Sequence, residues 1–145
     1  MKQLTTVLLL ITIVCFVPPC RAQTSGEATQ LAGDWCFVHP QEGPWCHGEH
    51  LHQIRVWGNE FEIWNNNKLV FNGKARGDQL FGYYRPRVFS LGHLRHCSDQ
   101  TLPMQGRVVQ NGNRLELSYT EVNSVFNDCR ITETRTQQDV LVRKQ

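Results

Sequence analysis

Met104-Gln-Gly-Arg-Val-Val-Gln110, Asn111-Gly112-Asn113 and Arg114-Leu-Glu-Leu-Ser-Tyr-Thr-Glu121 read together as two strands about a tight turn. Leu115, Leu117 and Tyr119 recur at period two and share a face, the pattern of a strand buried on one side. Asn111-Gly112-Asn113 supplies residues that tolerate the positive φ of a hairpin turn.

The same alternation and punctuation continue in both directions. Upstream, 31–38 (Leu-Ala-Gly-Asp-Trp-Cys-Phe-Val) puts Trp35 and Phe37 on one face, and His39-Pro40 through Gly43-Pro44 breaks it. Residues 50–57 place His50, His52, Ile54 and Val56 together, with mixed character on both faces. Gly58-Asn59 and Asn65 to Asn67 mark turns on either side of a strand at 60–64. A strand at 68–71 leads into Asn72-Gly73, the strongest short hairpin signal in the chain, and 74–84 reads as one longer strand bent at Gly77 and Gly82. Arg85-Pro86-Arg87 ends it. A short apolar piece at 88–91 and a polar loop at 92–102 follow, and 129–134 and 140–143 close the chain as two short strands. No long stretch carries an apolar 3.6-residue period, while turn signals recur about every 8–12 residues. The expectation is an all-β fold, a small antiparallel meander of about eight or nine short strands. Closure into a barrel is favoured over a sandwich because it removes exposed edges.

Residues 4–17 are an apolar run with threonines behind Lys2, followed by Pro18-Pro19-Cys20-Arg21-Ala22. The run has the length of a signal-peptide core and is too short for a spanning helix of about 20 residues. Val17-Pro18-Pro19 before Cys20 lacks the small residues of a lipoprotein signal, so 1–22 reads as a cleaved signal peptide and the chain as exported, periplasmic or extracellular. Polar residues 23–30 read as a flexible lead-in, and 31–145 as a single barrel domain. Cleavage takes Lys2 and Arg21 from 15 basic residues, leaving 13 against 13 acidic ones. A neutral domain gives no electrostatic case for nucleic acid or a membrane surface.

Cleavage also removes Cys15 and Cys20, and the remaining Cys36, Cys46, Cys97 and Cys129 read as two disulfides. Element order favours Cys36 with Cys129, first strand to last, which leaves Cys46 for Cys97. Two local staples, Cys36 with Cys46 and Cys97 with Cys129, are the competing pairing.

Gly33-Asp-Trp35, opening the first strand, resembles the Gly-x-Trp start of lipocalins and their smaller calycin relatives, including bacterial protease-inhibitor barrels. The resemblance implies a barrel plugged at one end by the tryptophan, with an arginine near the last strand, Arg143 or Arg130, packed across it. The mature chain is shorter than a typical lipocalin, which argues against a ligand-holding calyx.

Five of the six histidines fall in two groups beside cysteines, His47-x-x-His50-x-His52 and His93-x-x-His96. A Cys46 to Cys97 bridge would set the groups side by side. His47, His50, His52, His93 and His96 would then form a candidate Zn²⁺ or Cu²⁺ site, with Glu49 adjacent. The plainer reading is polar loop chemistry next to disulfides. Catalytic signatures are missing: there is no His-Glu-x-x-His, no Gly-x-Ser-x-Gly and no phosphate-cradling glycine loop, and His47-x-Glu49 lacks the Pro-Cys-x-x-Cys of a zinc deaminase. Enzymatic function is therefore disfavoured. A second constellation is basic and aromatic: Arg76, Tyr83, Tyr84, Arg85 and Arg87 could form a patch for a glycan or an acidic protein. The leading expectation is a non-enzymatic exported binding protein with a transition metal as ligand. The alternative is a protein-interaction or hydrolase-inhibitor module acting through a loop and the basic patch.

Overall fold

The computed structural model describes residues 30–145; the expected signal peptide, 1–22, and residues 23–29 of the expected lead-in lie outside the described residues. Its strands are β1 (Gly33–His39), β2 (Gly43–Trp45), β3 (Leu51–Trp57), β4 (Glu60–Asn65), β5 (Lys68–Arg76), β6 (Gln79–Tyr84), β7 (Leu102–Val109), β8 (Arg114–Val125) and β9 (Ile131–Arg143). From β3 onward each strand pairs with the next in antiparallel order, and β9 returns to β1, so β1 and β3 to β9 close an eight-stranded barrel. The closing ladder matches Trp35, Cys36 and Phe37 with Arg143, Val142 and Leu141. On its other edge β1 changes partner, pairing with β3 over Gly33 to Cys36 and with the short β2 over Phe37 to His39. Pro44 is tolerated in β2 because an edge strand can spare its missing N–H.

The interior fills from all eight strands of the barrel. Trp35, Ile54, Phe61, Ile63, Phe71, Leu80, Met104, Leu115, Leu117 and Leu141 form one buried core, which fixes His52, Ile54 and Val56 as the inward row of β3. Leu115, Leu117 and Tyr119 hold the inward side of β8, as their spacing predicts.

Trp35 closes one end. Its indole N–H donates to the Leu31 carbonyl at 2.9 Å, and the Arg143 guanidinium lies 4.7 Å over its ring. Arg143 also donates to the carbonyls of Ala32 and Gln30. Gly33 serves this contact twice, since its φ of 127° suits only glycine and a Cβ there would stand 3.4 Å from the Arg143 guanidinium. Arg130 lies elsewhere, over Phe126.

Asn72-Gly73 is not a turn. β5 runs straight through it, and the chain reverses at Gly77-Asp78, where Gly77 takes φ 59°. Gly73 instead faces Gly82 across the β5–β6 ladder. A Cβ on Gly73 would lie 2.1 Å from the Phe81 carbonyl oxygen, and one on Gly82 2.1 Å from that of Asn72. The pair is flanked by Phe61 and Met104 in the same row, so glycine here permits a close backbone approach between two large core side chains.

The two short closing strands are in fact one, β9, thirteen residues long and paired with β8 along nearly its whole length. Its first half pairs only with β8, so the β8–β9 ribbon runs on past the barrel wall. The apolar piece at 88–91 packs there: Phe89, Leu94 and Cys97 form a second small core with Val125, Cys129 and Ile131.

The disulfides are Cys36–Cys46 and Cys97–Cys129, the competing pairing. Cys36 and Cys46 flank the β1–β2 hairpin in register with the Phe37 and Trp45 pair, their Cα atoms 4.5 Å apart. Cys36 cannot reach Cys129, because β9 places Val142 opposite it and Cys129 lies at the far end of that strand, roughly 40 Å away at about 3.3 Å per residue. In the chain-entropy treatment the two loops are worth roughly 3 and 4 kcal/mol.

The interior glycines yield an ordering of costs. Gly106→Ala would push a methyl to 2.9 Å from the end of the Leu117 side chain, which can yield in part, and should cost about 1–3 kcal/mol. Gly73→Ala meets rigid backbone and should cost more. Chemical denaturation of both variants checks this, and an equal or smaller loss at Gly73 would show that the β5–β6 ladder opens freely there.

Candidate functional site

At the end away from the Trp35–Arg143 plug, the inward rows of β8 and β9 change from apolar to polar. On β8 Leu115 and Leu117 give way to Tyr119 and Glu121; on β9 Leu141 gives way to Asp139, Gln137 and Arg135. These residues meet His52 of β3, Phe71 of β5, Tyr84 of β6 and Phe37 of β1 around a cavity of about 190 Å³. His50 and Glu49, on a single 3-10 turn (Gly48–His50), and Arg87, on the turn Arg87–Ser90, stand at its rim. The barrel thus has at this end a small, mostly polar cup, or calyx.

Its charges are paired with one exception. Arg135 donates to Glu121 at 2.6 Å, which raises the Arg135 pKa, and Arg87 sits 3.9 Å from Glu49. Asp139 accepts from the Tyr119 hydroxyl at 2.8 Å and from Gln137 at 3.1 Å, both neutral donors, and no cation lies within ion-pair distance of it among the described residues. Burial, then the Asp139 charge and its hydrogen bond, pushes the Tyr119 hydroxyl well up. Burial likewise raises Tyr84. Phe71, Tyr84 and Tyr119 form one aromatic group, with ring centroids 4.4–5.2 Å apart.

His52 is 6% exposed. Its Nε2 lies 3.4 Å from the Asn65 side-chain nitrogen, and its Nδ1 has no hydrogen-bond partner. Burial lowers its pKa below the ordinary 6.5, opposed by the nearby His50 carbonyl and by Asp139, so a neutral imidazole faces the cavity. Asn65, also buried, donates to the backbone oxygens of Glu49 at 2.5 Å and Leu51 at 3.2 Å. It thereby fastens the rim turn to the barrel.

The five candidate metal ligands are not gathered. His47 is exposed, with its ring 5.9 Å from that of His50; His50 packs edge-on against Trp45; His52 is inside the barrel. His93 and His96 are exposed on the segment Gly92–Cys97, and the bridge that would have joined the two groups is not formed. Among the described residues one group of three candidate ligand atoms lies within 4.8 Å: His96, Cys97 and Cys129. Its two sulfurs are joined to each other, and a disulfide offers no thiolate to a metal. His96 Nε2 is 2.6 Å from the Asn127 carbonyl oxygen.

The basic and aromatic patch is also divided. Tyr84 lines the calyx, Arg85 and Arg87 line a neighbouring groove with Lys68 and Ser98, and Arg76 and Tyr83 border an outer groove with the exposed rings of Trp57 and Phe81. Strand parity alone separates Tyr83 from Tyr84, a signal readable in the sequence. The polar inward row of β9, which makes the calyx, leaves no period-two contrast in the sequence.

No family model, curated protein or solved structure matches the chain. The fold and disulfides define a disulfide-stapled antiparallel β-barrel, and two disulfides suggest an oxidising, extracytoplasmic location. No helix among the described residues is long and apolar enough to cross a membrane.

His52 makes stability pH-dependent. With its folded pKa lowered, the unfolded chain takes up the proton first, so stability is complete above about pH 6.5 and falls as pH drops from there through the lowered folded value. His52→Gln should flatten the denaturation midpoint over that window. An unchanged slope in the variant would place the titration elsewhere.

Proposed function

We propose that this is an exported, non-enzymatic binding protein whose site is the polar calyx. The observation that carries the reading is the cavity at this end of the barrel, where the inward rows of β8 and β9 turn polar and the Asp139 carboxylate meets neutral donors and no cation. The Trp35–Arg143 plug supports the likeness to lipocalin-type barrels, in which one end is shut and the other open. A cavity of about 190 Å³ holds about six waters at roughly 30 Å³ each, which limits the ligand to a small molecule.

The test is nuclear magnetic resonance titration with three probes of nearly one shape, benzylamine, benzyl alcohol and benzoate. At least one should shift resonances of His52, Tyr84, Tyr119 or Asp139 at millimolar concentration or below. No shift at those residues with any probe would remove the calyx as a binding site.

A second reading, a transition-metal site, is favoured by His96, Cys97 and Cys129. It requires a thiol reductant to open Cys97–Cys129, giving two thiolates and an imidazole, a donor set suited to Zn²⁺. Calorimetric Zn²⁺ titration should therefore show binding through His96 only after reduction. Equal binding by the oxidised protein, or by reduced His96→Ala, would refute it.

A further inference from the structure

The calyx carries one negative charge more than it balances, and one of its walls is aromatic. Of its charged groups, Arg135 is engaged with Glu121 and Arg87 with Glu49, while Asp139 is held only by the Tyr119 hydroxyl and the Gln137 amide. Those two neutral donors orient the carboxylate without cancelling its charge. The field of Asp139 reaches His52, Tyr84, Tyr119 and Arg135, so it acts across the width of the cavity. His52 does not supply the counter-charge, because burial keeps its imidazole neutral.

The rings of Phe71, Tyr84 and Tyr119 pack together beside this carboxylate. A ring face is the negative side of the aromatic quadrupole, so a cation against such a wall is attracted by the rings as well as by the carboxylate. An anion would face both as repulsion, and a neutral ligand would use neither.

On these grounds we propose that the calyx selects a small organic cation, a primary or substituted amine of about eight non-hydrogen atoms or fewer, with Asp139 as its counter-ion and the Phe71, Tyr84 and Tyr119 rings as its wall. The proposal rests on the calyx being a binding site and adds the sign of the ligand's charge.

The same three probes separate the two claims. The unmodified protein should bind benzylamine at least about tenfold more tightly than benzyl alcohol, with benzoate weakest, as expected of a charge-assisted contact in a partly desolvated site. Asp139→Asn or Asp139→Ser should reduce benzylamine to the level of benzyl alcohol while leaving benzyl alcohol binding in place, which shows that the cavity is intact; either variant that retains that binding suffices. Asp78→Asn, which removes a carboxylate paired with Arg107 on the outer surface, should leave the preference for the amine unchanged, because that charge lies outside the calyx. If the unmodified protein binds the three probes alike, or benzoate best, the cation proposal falls and the calyx remains a binding site. If the amine is preferred but the Asp139 variants keep the preference, the assignment of the counter-ion falls. If no probe binds in the cavity, both claims fall together.

Discussion

The structure depends on the ladder that returns β9 to β1. Three residue pairs make that closure, and they straddle the point at which β1 exchanges β3 for β2 along its opposite edge. A short ladder is a weak place in a barrel, since an opened seam exposes two strand edges. Three features reinforce it. Arg143 crosses the Trp35 ring and donates to the carbonyls just before β1, and the backbone of Lys144 donates to Asp34. The Cys36–Cys46 bridge then locks the segment at which β1 changes partners. Plug, seam and staple therefore act on the same few residues, and the opposite end of the barrel is left free of that duty.

That freedom appears in the composition of the inward rows. Near the plug they are leucine, isoleucine and tryptophan at essentially zero exposure; toward the mouth they become tyrosine, glutamine and carboxylate. Burying such groups weakens a core unless they find partners. Most do: Tyr119 and Gln137 find Asp139, and Asn65 finds two backbone carbonyls, while Arg135 pairs with Glu121 at the exposed rim. The outlying β8–β9 ribbon, which supplies much of this wall, is itself held by the small core around Phe89 and Leu94 and by Cys97–Cys129.

Much of this was legible in the sequence where a strand has one dry face. β8 declares itself through Leu115, Leu117 and Tyr119, and Gly33 with Trp35 announces the plug. β9 was misread as two short strands because its inward row, Arg135, Gln137 and Asp139, is polar, so both faces of Thr132 to Asp139 look solvated and the period-two contrast vanishes. The site erased the signal that would have located it. Asn72-Gly73 misled for the opposite reason, since turn chemistry there served a close approach between strands that only glycine allows. The pairing of Cys36 with Cys46 could have been read: both stand symmetrically about Gln41, and an antiparallel hairpin brings symmetric positions together. Element order proved a poor guide because a strand of thirteen residues has two distant ends, and Cys129 stands at the wrong one.

The histidines show how local density differs from convergence. Three imidazoles within residues 47–52 belong to three environments: His47 lies in solvent, His50 packs at the rim against Trp45, and His52 is sealed inside. The step from 3-10 turn to strand at Leu51 separates them, because side chains in the turn fan outward while strand parity sends position 52 into the barrel. A motif that straddles an element boundary disperses its side chains even when its residues are adjacent. Asp139 is the converse case, a residue with no neighbour of note in sequence. The β8–β9 register, the parity of β9 and the closure on β1 bring it to the same cavity as His52. The chemistry of this barrel is thus set by which rows point inward at the open end, and those rows are fixed by a closure made at the other.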